Sequence, residues 1–215
     1  MIILKSFLID YLQQEKWQPD GGEAQSPIAI VTQDTITQTD ENAGLYFSFE
    51  KEVCNFNNNG QNLQLLALGE AILNGERHVL MQVHFHSEAE HTIDGQSFPL
   101  EGHFVYQNGN GELAVVAVLF AEGEENQEFQ QVLAEFDSEN ALMISAELLL
   151  PENKSYYHYT GSLTTPPLTE NVKWFVLQEN LTVSTSQIEA FCALHGKNRR
   201  QLQPLNQRTV FAYHC

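Results

Sequence analysis

From Val79 to His86 the chain alternates strictly. Val79, Met81, Val83 and Phe85 share one face of an extended backbone, and Leu80, Gln82, His84 and His86 share the other. A period of two predicts a half-buried strand. A turn at Asp94-Gly95 separates it from a second strand, Leu100 to Tyr106. There Glu101, His103 and Val105 point one way, and Leu100, Phe104 and Tyr106 the other. Asn108-Gly109-Asn110-Gly111 marks another turn. Leu113 to Phe120 is almost continuously apolar and predicts a strand buried on both faces. Further strands are predicted at Leu45 to Phe49, at Leu63 to Leu68 after the turn-rich Asn57 to Gly60, and at Val172 to Leu177. Two stretches switch to helical spacing. Phe129, Val132, Leu133 and Phe136 form one face between 124 and 136, and Ile188, Phe191 and Cys192 recur between 186 and 194, with Ser184 or Ser186 as N-cap. Many strands spaced by turns, with few helices, predict a mainly β (α+β) fold. One domain over residues 1–215 is expected, built on a large twisted, mostly antiparallel central sheet with a few peripheral helices.

Composition changes this picture little. A chain of 215 residues with 42% hydrophobic content fills one sizeable core, and no linker, repeat or low-complexity tract divides it. Charge is more informative. Ten Lys and Arg against 28 Asp and Glu give a formal −18, which repels phosphate backbones and anionic membranes. Neither nucleic acid nor membrane is therefore expected as a partner. Cys54, Cys192 and Cys215 are too few for a disulfide framework and lack metal-type spacing. The apolar start of the chain is broken by Lys5 and Asp10 without a cleavage-site pattern, and no run approaches the roughly 18 apolar residues of a membrane span. A cytoplasmic protein with free thiols is expected, with secretion after loss of a leader as the alternative.

The chemistry concentrates in three histidines. His84 and His86, two apart in one strand, leave the same face of the sheet, and His103 supplies a third nitrogen if the neighbouring strand pairs in register. Three neutral imidazoles offer Zn²⁺ three tetrahedral corners and leave one open, the ligand set of carbonic anhydrases. Gln82 stands two residues before His84, and Glu101 two before His103. Such polar neighbours accept a ligand imidazole's second N–H and fix its tautomer.

Beyond these residues, the sequence resembles the α-class carbonic anhydrases of bacterial type. The resemblance rests on Gln25-Ser-Pro-Ile28, Asn58-Asn-Gly60, Gln82-Val-His-Phe-His86, Ala89-Glu-His-Thr92, Glu101-Gly-His103 and Gly161-Ser-Leu-Thr-Thr-Pro-Pro167, in order and at similar spacing. It implies a zinc lyase that interconverts carbon dioxide and bicarbonate, with zinc hydroxide as the attacking group. It further implies that Thr164 accepts a hydrogen bond from that hydroxide while donating to an ionised Glu90, and that the Thr164 N–H binds a substrate oxygen, with Thr165 beside it. By the same resemblance Val105, Val115, Leu163, Val172 and Trp174 form the apolar substrate wall. Asn59 and Gln64 line its polar side. His91 matches a structural histidine bonded to Tyr159, and Arg200 and Arg208 look structural. His78, His158, His195 and His214 read as solvated or locally bonded.

The match departs from the family in places. Gln61 falls where many members carry a proton-shuttling histidine, and an amide has no titratable proton near neutral pH. Slow, buffer-dependent proton transfer is therefore expected. Ser87-Glu88 replaces the usual Trp-Gly, and the N-terminal segment is short, with Tyr11 and Trp17 standing for its aromatic anchors. Leu168 stands where many bacterial members carry a disulfide cysteine. A binding module without catalysis would be expected to lack a ligand histidine, and ester hydrolysis to be a side activity of the same centre. A monomer or a homodimer fits equally well.

Overall fold

Strands dominate the computed structural model, which describes residues 9–19, 22–39, 43–50, 55–58, 63–134 and 145–215. They are β1 (Ala29–Ile30), β2 (Ile36–Gln38), β3 (Leu45–Phe49), β4 (Asn55–Asn58), β5 (Leu63–Leu66), β6 (Gly69–Leu73) and β7 (Glu76–Ser87). The second half adds β8 (Thr92–Ile93), β9 (Leu100–Asn108), β10 (Leu113–Glu122), β11 (Tyr156–Ser162), β12 (Glu170–Leu177), β13 (Leu181–Val183) and β14 (Phe211–Tyr213). Among the described residues, 12 strands form one sheet whose main path runs β2-β14-β11-β12-β10-β9-β7-β5-β4. Most neighbours are antiparallel, as expected. The exceptions sit at the centre and at one edge, where β10 pairs with β12 and β13 in parallel and β14 with β2. A parallel pair needs a long return connection, and the stretch between β10 and β12 supplies it.

The sheet carries a core on each face. Phe85, Phe104, Tyr106, Val116, Val118 and Phe120 point to one side, covered by Phe129 of α1 (Gln127–Ala134) and Phe191 of α2 (Thr185–His195). Val105, Val115, Ala117 and Leu119 point to the other, against Ile28, Tyr159 and Trp174. β10 is thus buried on both faces, which explains its unbroken apolar run. Both predicted helices form. Ser184 caps α2 with the reciprocal Gln187 contact of a capping box. Phe136 lies outside the described residues. No helix among the described residues is long and apolar enough to cross a membrane.

One expectation fails inside β7. Its pairing with β9 slips between Leu80 and Gln82, leaving Met81 as an extra residue. A bulge of this kind interrupts the alternation. Leu80 therefore packs in the same core as Val83 and Phe85, not on the histidine face, while Val79 and Met81 are each 48% exposed.

Candidate metal centre and active site

In β7 and β9, His84 is paired directly with His103 and His86 with Glu101. The expected register is the one that forms. The three imidazoles are buried, with ring centroids 4.7 to 5.0 Å apart. Each has one nitrogen held by the protein. His84 Nδ1 lies 2.8 Å from Gln82 Oε1, His86 Nδ1 2.7 Å from the Asn198 carbonyl, and His103 Nε2 2.7 Å from Glu101 Oε1. All three acceptors are oxygens, so each held nitrogen carries the proton and the other presents a lone pair. Those lone pairs converge. His84 Nε2 and His103 Nδ1 are 3.3 Å apart, and His86 Nε2 is buried without a hydrogen-bond partner. Two facing lone pairs repel, and an unpartnered buried nitrogen is costly. A cation at their common centre relieves both. Burial and the neighbouring imidazoles hold His84 well below its ordinary pKa, and burial also lowers His86 and His103. All three are neutral, as metal ligands must be.

His91, Glu101 and His103 form a second cluster of possible ligands. Here the nitrogens stand 2.7 Å from a carboxylate oxygen, the distance of a charge-assisted hydrogen bond, so a proton already fills each gap. Burial works against the Glu101 charge, but His91 and His103 outweigh it and hold the carboxyl well below its usual range. Its second oxygen accepts the backbone N–H of Glu90 and of His91.

Glu90 is fully buried, 3.5 Å from His86 Nδ1, and its Oε1 accepts the Arg200 N–H at 2.7 Å. Burial pushes its carboxyl up to about 7, offset in part by His103, while Glu101 adds to the rise. The Thr164 hydroxyl lies near enough to favour the charged form, yet no contact of good hydrogen-bond geometry satisfies Oε2. Thr164 is itself buried.

The apolar residues named from the resemblance fall in one cluster. Val105, Val115, Val172 and Trp174 are buried in one cluster, with Leu163 packed against it. Val105 and His103 lie on the same face of β9, opposite Val115 and Ala117 of β10. The Trp174 indole N–H donates to the Ser162 carbonyl, which leaves its ring faces apolar. Thr165 is half-buried, and Gln64 is the β5 residue paired with His84. Asn59 and Gln61 lie outside the described residues, as does Cys54.

Sequence reasoning left His86 without a partner. The answer is Asn198, 112 residues away, whose side chain also accepts from the Ser87 N–H and donates to the Phe85 carbonyl. No local pattern marks such a residue. Arg200 and Gln25-Ser26 are closer to the centre than expected. Arg200 holds Glu90 by its backbone, and its guanidinium donates to Gln25 Oε1 and the Ser26 carbonyl. Tyr11 packs edge-on against Trp17, and its buried hydroxyl feels the Glu90 charge. His78, expected to be solvated or locally bonded, is buried and bonded to the Glu76 carbonyl.

The family model of eukaryotic-type carbonic anhydrases matches residues 12–214. The chain belongs to this family. A carbonic anhydrase of Pectobacterium carotovorum is 39% identical over 200 residues, covering 89% of this chain and 80% of the relative. The α-carbonic anhydrase of Thermovibrio ammonificans, solved with sulfanilamide, superposes with a TM-score of 0.82 at 37% identity, over 88% of this chain and 87% of that one. The Photobacterium profundum α-carbonic anhydrase gives a TM-score of 0.82 at 37% identity, over 93% and 94%. The histidine trio of this carbonic anhydrase is thus set in a chain whose fold matches these structures over 88% and 93% of its length.

Proposed function

We propose that His84, His86 and His103 hold zinc, and that Thr164 and Glu90 act on the water and carbon dioxide brought to it. Reversible hydration of carbon dioxide to bicarbonate and a proton is the reaction of the family to which the chain belongs. The observation that carries the zinc reading is the 3.3 Å separation of two unprotonated nitrogens, His84 Nε2 and His103 Nδ1. A tetrahedral site with bonds of about 2.0–2.1 Å has edges of roughly 3.3–3.4 Å. An all-imidazole donor set suits zinc better than magnesium or calcium, which take oxygen. When bound, zinc supplies the Lewis acidity that makes water nucleophilic near neutral pH.

The protein's own groups do the rest. Positive charge held by the trio draws Glu90 back toward its ionised form. An ionised carboxylate can only accept, so the Thr164 hydroxyl donates a hydrogen bond to it and turns a lone pair toward the cleft. Arg200 keeps Glu90 from turning away, because its backbone N–H holds the other oxygen. The Thr164 N–H is a fixed donor for a substrate oxygen as charge develops. Carbon dioxide carries no charge, and Val105, Val115, Leu163, Val172 and Trp174 offer it a wall that does not compete through hydrogen bonds. Thr165 and Gln64 supply polar groups at the same cleft, with Asn59 and Gln61 assigned there by sequence alone. A cytoplasmic setting belongs to this proposal on the sequence alone, from three cysteines without disulfide or metal spacing.

Metal analysis combined with carbon dioxide hydration kinetics tests the reading. The native chain should carry about one zinc, lose activity to a chelator and regain it on zinc addition. His84→Ala should lose at least about 100-fold in metal affinity, with its activity. Full rate and stoichiometric metal in His84→Ala would remove the trio from the mechanism.

A further inference from the structure

Two surface hollows reflect the formal charge of −18. One sets Lys154 against Glu152 and Glu179, and another sets Arg208 against Glu23 and Glu170. A cavity of about 410 Å³, between α2 and the segments that follow β7, β8 and α2, reverses that balance. Lys197 and Arg199 line it with a single carboxylate, Glu88. The whole chain has only ten Lys and Arg, so two at one cavity run against the trend. Apart from the exposed Ser97, the rest of the lining is Ala89, Phe98, Pro99, Ile188 and Cys192.

The walls are tied to one another. The Ala89 N–H donates to the Phe98 carbonyl at 2.9 Å, and the Asn198 N–H donates to the Ser87 carbonyl at 3.2 Å. Cys192 Sγ meets Ser87 Oγ at 2.7 Å. The hollow therefore keeps its shape through its own bonds, as small-molecule sites usually do. Glu88 spans the two cations, its Oε1 accepting from Lys197 Nζ and its Oε2 from Arg199 Nε at 2.7 Å. One carboxylate against two cations leaves a net charge of +1. Arg199 spends only its Nε, and its two Nη groups have no hydrogen-bond partner among the described residues. Such a pair of donors can hold both oxygens of a carboxylate.

We propose that this cavity is a binding site for a small carboxylic acid with an apolar body. The ring or branched chain lies on Phe98, Pro99 and Ile188, and the carboxylate takes the Nη groups of Arg199 beside Lys197. Charge and shape both select this class. A ligand with two or more negative charges would set the surplus against Glu88. A neutral apolar ligand would cover the guanidinium and leave its donors unpaired. The volume falls in the lower part of the range of about 300–1,000 Å³ that small-molecule sites occupy. No lining residue belongs to the histidine trio or to the Thr164–Glu90 pair, so the proposal stands apart from the zinc reading.

Benzoate is the probe, with acetate (the same charge without a ring) and benzamide (the same ring without a charge) beside it. Backbone NMR of the full chain, zinc-loaded and again after metal removal, reads where each one binds. Benzoate should shift Phe98, Ile188, Cys192 and Lys197 in both forms, with a Kd of about 1 mM or tighter. Acetate and benzamide should each bind at least about tenfold more weakly, for want of the buried ring or of the charge-assisted hydrogen bonds. Arg199→Gln should weaken benzoate about tenfold. Glu88→Gln raises the local charge and should tighten it about two- to fivefold, the worth of one partly exposed charge. Shifts confined to the histidine trio and Thr164 place the carboxylate at the metal and overturn the proposal, as does the absence of any shift. Acetate that binds as tightly as benzoate overturns it too, since that is a bare ion pair. So does benzamide that matches benzoate, since that is an apolar surface without a carboxylate site. If Arg199→Gln does not fold, Glu88→Gln and the three probes still decide.

Discussion

His84, His86 and His103 are kept neutral mainly by burial, and Glu90 is pushed the opposite way by the same cause. Both shifts act on stability, with opposite signs. Each imidazole is held below its unfolded value of about 6.5, so in acid the unfolded chain takes up protons the folded one refuses. That contribution is present above about pH 6.5 and is lost as pH falls. Glu90, at about 7, keeps a proton in the fold that an unfolded carboxyl releases above about 4.3, so its contribution falls as pH rises between those values. Three histidines outweigh one carboxyl. Metal-free protein should therefore gain stability from pH 5 toward 6.5, at up to about 1.4 kcal/mol per pH unit for each net proton. Thermal melting across that range checks it, and Glu90→Gln should steepen the rise. A flat or falling profile would mean that the imidazoles are not buried neutral.

The elements deliver these residues by different means. β7 places His84 and His86 two apart on one face, yet needs its bulge at Met81 to send Leu80 into the opposite core. α2 backs that core through Phe191, and its start depends on Ser184 and Gln187. Gln187 does more than complete the cap. Its Oε1 accepts from the N–H groups of Ser184 and Asn126, and its amide donates to the Asn126 carbonyl, tying α2 to the start of α1. Ser184→Ala should cost about 1 kcal/mol. Gln187→Ala removes the partner of three part-buried backbone groups, the Ser184 N–H and the Asn126 N–H and carbonyl, and should cost about 2–3 kcal/mol. Urea unfolding of both variants, with metal content unchanged, measures the difference. Equal losses would show that Gln187 is only a cap.

At the scale of the molecule the largest electrostatic fact is the formal charge of −18. Such a surplus repels itself in the compact state. Raising salt from about 0.01 M to about 0.1 M shortens the screening length from roughly 30 to 10 Å. The melting temperature should rise over that interval in sodium chloride. A fall would indicate that local ion pairs, such as Lys173 with Glu76 and Glu112, outweigh the long-range repulsion.

Sequence alone was enough for the parts of this carbonic anhydrase that depend on local periodicity and residue type. Alternation put His84 and His86 on one face, the unbroken apolar run of β10 announced a strand covered twice, and the i, i+2 neighbours Gln82 and Glu101 were visible because they share a strand with their histidines. Three things depended on the tertiary structure. The Met81 bulge arises from pairing with another strand, so a single strand's pattern does not reveal it. The Asn198 carbonyl that orients His86 is a backbone group, 112 residues away, and every residue has one. The path from Ser26 through Tyr159 and His91 to Glu101 joins three distant segments, and of its links only Tyr159 to His91 was implied by the sequence resemblance. The rest had to wait for the fold, because a hydroxyl or an imidazole takes its donor or acceptor role from what surrounds it.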